Sequence, residues 1–203
     1  MSVSGILLAA GQSVRFGEKT KQLLDFDGYP LVRRVALVAC LSSLGEVLAV
    51  TGHKASKIEN ALKGLGIKNK FNPFYQEGLS TSIKVGIQNL EPTAKAAIFI
   101  AVDQPFITTA LINTIIAVYT KKRSNIVAPV FEGRRGSPVL FDKSLFGDLL
   151  ELEKDQGGRR IIQNRIEMLE TVELKSPLPL EDIDTWGEYK HLLGYTSVVT
   201  DES

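Results

Sequence analysis

Short uninterrupted apolar runs alternate along this chain with segments whose apolar residues recur every three or four positions. Residues 5–10 form such a run, stopped by Gly11, the pattern of a strand covered on both faces. Residues 31–44 predict a helix, with Pro30 at its start and Leu31, Val35, Val38 and Leu41 at helical spacing. A second buried strand is predicted at 47–50, closed by Thr51-Gly52, and a helix at 55–65 ended by Gly64 or Gly66. A helix at 80–90 then precedes the most apolar strand of all, 96–102. Thr108 or Thr109 can cap a helix running to about residue 122, and 126–130 is a further strand. Beyond it the alternation weakens. A hairpin is expected around 132–136, then two short helices, a strand near 168–174, a loop at Pro177 and Pro179, and a final helix at 186–193. Residues 196–203 are small or polar and are expected to fray.

Helices set between buried strands predict an α/β fold with a mostly parallel central sheet. One domain, residues 1–195, accounts for the pattern. Ligands in such sheets bind at the carboxyl ends of the strands, where strand order reverses. That rule singles out three loops: 11–21, 51–53 and 103–105.

Composition narrows the function classes. Hydrophobic residues make up 44% and charged residues 23% of the chain, a globular mix. With 24 Lys+Arg against 23 Asp+Glu the net charge is +1, so no bulk field attracts nucleic acid or an anionic membrane. Cys40 is the only cysteine, which excludes an internal disulfide and a multi-cysteine metal cluster; its apolar neighbours predict a buried thiol. No apolar run approaches the ~20 residues that span a bilayer. The N-terminus lacks the basic flank of a secretory signal, so the expectation is a cytoplasmic protein.

Within the first loop, Gly11 and Gly17 allow backbone angles that aim successive N–H groups at one concavity, a nest for phosphate oxygens. Arg15 and Lys21 add positive charge. The loop is no P-loop, since Glu18 follows Gly17, and no dinucleotide fingerprint, since Ser13 replaces the second glycine. Asp103 follows the apolar strand directly, where a carboxylate can serve Mg²⁺ or simply cap a turn before Pro105. Gly78, Ser80 and Ser82 stand at a helix start, suited to an anion or a base edge, or to plain capping. His53 is read as a loop histidine and His191 as surface or packing.

Together these segments resemble the nucleotidyltransferases that mature molybdenum cofactor. The likeness rests on Leu7-Leu8-Ala9-Ala10-Gly11 with Ser13 and Arg15-Phe16-Gly17, on Lys21-Gln22-Leu23-Leu24, and on Asn72-Pro73 with Gly78-Leu79-Ser80 and Ser82. Asp103-Gln104-Pro105, Gly133 with Gly136 and Pro138, Asp155 with Gly157-Gly158-Arg159, and Asp182-Ile183-Asp184-Thr185 extend it over nearly the whole chain. The resemblance implies a Rossmann-like, GT-A-like three-layer sandwich and a Mg²⁺-dependent reaction. In the nearest subfamily CTP and a molybdopterin-type acceptor give a cytosine dinucleotide cofactor and pyrophosphate, and a molybdoenzyme receives the product. By position, Leu8, Ala9, Ala10, Gly11, Arg15 and Lys21 would hold the triphosphate, with Gly78, Ser80 and Ser82 on the base or ribose side. Asp103 and Asp184 would hold the metal, Asp182 being a rival to Asp184; Arg15, Lys21 and Asp103 would be catalytic. Ala10 favours CTP, because guanylyl-transferring members tend to carry glycine there. Three departures stand out: Ser137 where a histidine is common, Trp186-Gly187-Glu188 in the closing segment, and one extra residue before Lys21, which makes Lys19 its rival. The other readings are a GTP-using or sugar-phosphate transferase, and a carrier that inserts molybdenum cofactor without catalysis.

Overall fold

A computed structural model describes residues 2–200. The described elements are β1 (Ser2–Ala9), β2 (Asp25–Phe26), β3 (Tyr29–Pro30), α1 (Leu31–Cys40), β4 (Glu46–Thr51), α2 (Ala55–Leu62), β5 (Lys68–Phe71), α3 (Leu79–Gln88) and β6 (Ala94–Ala101). They continue with α4 (Thr109–Lys122), β7 (Ile126–Phe131), β8 (Arg134–Arg135), β9 (Val139–Asp142), α5 (Phe146–Leu150), α6 (Gly158–Asn164), β10 (Leu169–Glu173) and α7 (Trp186–Thr200). The last helix thus runs into the stretch expected to fray; residues 201–203 lie outside the described residues.

One sheet runs in the order β10-β7-β9-β6-β1-β4-β5, with β8 as an antiparallel hairpin partner of β7. β1 pairs in parallel with both β4 and β6, and β9 is antiparallel to both β6 and β7. The chain leaves β1 toward β5, then returns to β6 on β1's other side. The reversal opens a crevice between the ends of β1 and β6.

Alternate residues of a strand face opposite layers. Leu7 and Ala9 of β1 therefore join Ile98 and Ile100 of β6 under α1, α2 and α4. Ile6 and Ala10 join Ala97, Phe99 and Phe141 under α3, α5 and α6. The result is a three-layer α/β sandwich, as the alternation predicts. Thr108 is the cap of α4, its hydroxyl accepting from the Leu111 amide at 3.1 Å. A third, smaller cluster gathers Phe16, Leu24, Phe26 and Leu31 around Ile183 and Leu192, with Trp186 packed on Phe16 at a ring distance of 5.2 Å. It fastens the C-terminal segment to the first loop.

Two expectations are corrected. Helix α1 ends at Cys40, and its buried face is Leu31, Val32, Val35, Ala36 and Ala39. That face leaves Leu41 74% exposed and Cys40 on the surface, its thiol 3.6 Å from the Leu65 carbonyl. In addition, the strand β5, for which the sequence pattern gives no expectation, carries no apolar alternation and is exposed throughout; it forms because β4 offers it a backbone ladder.

On the sheet, the Tyr119 hydroxyl donates to Asp142 at 2.7 Å and the Ser144 amide donates to the same carboxylate at 2.9 Å. Burial alone would raise the pKa of Asp142, but the Ser144 amide and the Tyr119 hydroxyl hold it below the usual carboxylate range. A depressed folded-state pKa means stability that is present above the unfolded value, about 3.9, and lost as pH falls through the folded one. Asp142→Asn is therefore expected to cost roughly 1–2 kcal/mol at pH 7. Urea unfolding should show that difference shrinking below about pH 4.

Candidate active site

At the crevice, the chain leaves β1 through Ala10 and Gly11 and enters a single tight turn, Val14–Phe16. Ser13 (φ 57°) and Gly17 (φ 63°) supply the left-handed positions. Gly11 does not; a Cβ there would meet the Gln22 side-chain nitrogen at 3.4 Å. Phe16 and Gly17 donate back to the carbonyls of Ser13 and Val14, while among the described residues the amides of Gln12 and Ser13 have no intramolecular acceptor. Gln22 braces this loop from inside. Its amide nitrogen donates to the Gly11 carbonyl at 2.9 Å and its oxygen accepts from the Ser13 hydroxyl at 2.8 Å. Gln22 itself is only 4% exposed.

The opposite wall is the end of β6. Asp103 points into the crevice and meets Lys21, whose Nζ donates to Asp103 Oδ2 at 2.7 Å and to Asp184 Oδ1 at 2.8 Å. Arg15 holds the other oxygen of Asp184 at 3.0 Å. Asp184 arrives from far along the chain because the Ile183 amide donates to the Asp103 carbonyl at 3.0 Å and the Ile183 side chain is buried in the third cluster. Burial would lower the pKa of Lys21, but Asp103 and then Asp184 overcome it and hold the ammonium above its ordinary range. The Lys21 hydrogen bond is also the first cause that holds Asp184 low, ahead of Arg15. Asp182, two residues earlier, is pushed up by burial and then by the negative charges of Asp103 and Asp184. Of the two rivals, Asp184 is the one that touches Lys21 and Arg15. Lys19 instead lies 5.2 Å from the centre of the Trp186 ring.

Glycine loop, carboxylates and the start of α3 enclose one cleft of about 630 Å³. Of the positions singled out from sequence, Leu8, Ala10, Gly11, Arg15, Lys21, Gly78, Ser82, Asp103 and Asp184 line it. Ala9 does not. As an odd-numbered neighbour of Ala10 on the strand, it points to the other layer and is fully buried under the helices there. Ser80 does not either; it is buried and borders a separate pocket with Lys84 and Lys154. Ser82 reaches the cleft two residues on, its hydroxyl accepting from buried Asn72 at 3.1 Å. Ser137 is tied to β6, accepting from the Ala101 amide and donating to the Phe99 carbonyl, both at 3.4 Å. Arg159 is exposed and outside the lining, whereas Asp155 of the same motif is part of it.

Sequence reasoning did not single out Tyr75, Leu79 and Gln22 as cleft residues. The structure shows why Gly52 stands beside Tyr75: a Cβ there would come within 2.6 Å of the Tyr75 side chain. Among the described residues no group of three or more His, Cys, Asp or Glu side chains is arranged to hold a metal. Two carboxylates with room for triphosphate oxygens are nevertheless the donor set that Mg²⁺ takes at a nucleotide. No helix of the described residues is long and apolar enough to cross a membrane.

Comparison with known proteins bears on the family and the fold. Residues 5–171 match the family described as the MobA-like NTP transferase domain. A relative in Natronomonas pharaonis, a "probable molybdenum cofactor guanylyltransferase", is 32% identical over 112 residues; the match spans 54% of this chain and only 54% of that relative. The nicotine blue oxidoreductase of Paenarthrobacter nicotinovorans is 25% identical over 94% of this chain and 96% of its own. Among solved structures, Rv0371c of Mycobacterium tuberculosis is similar with a TM-score of 0.85 at 26% identity, covering 96% of this chain and 98% of that one.

Proposed function

We propose that this chain, which belongs to the MobA-like NTP transferase family and is a nucleotidyltransferase, joins the nucleotidyl group of CTP to the terminal phosphate of a molybdopterin-type acceptor. The observation that carries this reading is the meeting of Asp103, Asp184 and Lys21 beside the glycine loop in one cleft. An acceptor phosphate oxygen attacks the α-phosphorus in line, a P–O bond forms, the bond to the β-phosphate breaks, and pyrophosphate leaves with its electron pair. The chain supplies no nucleophile. Its free loop amides, Arg15 and Lys21 grip the triphosphate and neutralise charge that builds up on the leaving pyrophosphate. Asp103 and Asp184 would hold Mg²⁺, which when bound polarises the phosphoryl oxygens.

The choice of CTP rests on Ala10, whose methyl lines the cleft and packs toward Gly52. In this reading the methyl, which a glycine would lack, disfavours the larger purine base. One methyl group in a pocket discriminates about 10- to 200-fold. Pyrophosphate release with Mg²⁺ is therefore expected to be at least about tenfold faster, as kcat/KM, with CTP than with GTP, and to require a molybdenum-cofactor-type acceptor. A GTP preference would overturn the base assignment alone. Tight binding of molybdenum cofactor with no nucleotide-dependent pyrophosphate release would favour a carrier over an enzyme. Since a near full-length relative is named for oxidoreductase chemistry, fold alone does not choose the acceptor, and the same assay with sugar phosphates tests the other transferase reading.

A further inference from the structure

Lys21 sits where the proposed metal belongs. Its ammonium lies between the same two carboxylates, 2.7 Å from Asp103 and 2.8 Å from Asp184, and its side chain is only 12% exposed. We propose that Lys21 is a built-in substitute for the divalent cation, so that metal enters this cleft with the triphosphate and not before it. The inference rests on the proposed metal role of Asp103 and Asp184.

Three physical points support it. First, the two cations exclude each other. Mg²⁺ needs carboxylate oxygens at about 2.0–2.1 Å, which places it against the ammonium that those oxygens already hold. Second, the charges that touch one another, Arg15 and Lys21 against Asp103 and Asp184, cancel. A bare divalent cation would leave the group strongly positive, whereas a metal–triphosphate complex brings negative charge of its own. Third, an expelled Lys21 needs new acceptors. It is largely buried and carries three donors, and no protein carboxylate or carbonyl other than these two bonds it among the described residues. A triphosphate beside the glycine loop supplies those acceptors, since Lys21 and Gln22 share one short turn and Gln22 already holds the Gly11 carbonyl. Lysine thus blocks the metal when the cleft is empty and turns to phosphate when it fills.

The test is binding of Mn²⁺ alone, measured by electron paramagnetic resonance and by the shift in melting temperature, without any nucleotide. Lys21→Met should bind Mn²⁺ at least about tenfold more tightly than the wild-type chain, because it bares the two carboxylates. Lys21→Arg keeps a cation between them and should stay at the wild-type level, which also controls for misfolding. Equal Mn²⁺ affinity in Lys21→Met and the wild-type chain overturns the inference. Asp103→Asn in the Lys21→Met background separates the two claims. Loss of the gained affinity supports the lysine substitute, while retention shows that Mn²⁺ binds elsewhere and overturns the metal reading itself.

Discussion

Asp103→Ala is expected to lower Mg²⁺-dependent pyrophosphate release by at least ~10²–10³-fold, the loss seen when one fixed electrostatic partner of a transition state is removed. The side chain stands in the turn two residues past β6, whose Ile98 and Ile100 are wholly buried, and the Asp103 carbonyl is held by the Ile183 amide at 3.0 Å. Its loss would leave Asp184 as the sole carboxylate on Lys21 and halve the proposed metal ligands. Stability should change little by comparison. Asp103 is partly solvent-exposed, and the largely buried Lys21 ammonium keeps Asp184 as a partner at 2.8 Å, so no buried charge is left unpaired. Steady-state assay beside a melting curve distinguishes the two effects. Near wild-type turnover in a folded Asp103→Ala protein would remove the basis for the mechanism.

Gly78→Ala is the second large effect, and it reads out first as stability. Gly78 has φ of 114°, which L side chains rarely adopt, and a Cβ there would lie 2.3 Å from the carbonyl carbon of Lys154. Backbone has no side-chain rotamer to yield. The strained backbone costs about 1–3 kcal/mol and overpacking about another 1–3, so chemical denaturation should show a loss on the order of 2–6 kcal/mol. Surviving folded protein should also bind nucleotide poorly, because Gly78 and Ser82 share the α3 wall of the cleft and the Ser80 amide is anchored on the Lys154 carbonyl at 2.9 Å. An unchanged denaturation midpoint would show that the segment around Lys154 moves freely. Gly78, which the sequence pattern assigns to ligand contact, is required first by packing against Lys154.

Much of this was legible in the chain as written. Buried parallel strands must be apolar on both faces, so β1, β4 and β6 declare themselves by composition alone, and the residues just past their ends are then candidates for chemistry. Gly11, Arg15, Lys21 and Asp103 follow from that rule with no knowledge of how the strands are ordered. The exposed strand β5 and the two-residue pair β2–β3 were not legible, because they are held by backbone bonds to a neighbour and need no apolar pattern of their own.

Sequence determined which residues could do chemistry; the tertiary structure decided which of them meet. Local pattern cannot tell Asp182 from Asp184, Lys19 from Lys21, or Ser80 from Ser82, since each pair differs by two positions and shares its chemical type. Those choices were made at a distance. Ile183 buried in the aromatic cluster turns Asp184 onto Lys21, Trp186 takes Lys19, and the phase of α3 sends Ser82 into the cleft while Ser80 turns toward Lys154. The physical reason is that a side chain's direction is set by the packing of its own element against others far along the chain, and composition and spacing carry no record of that packing.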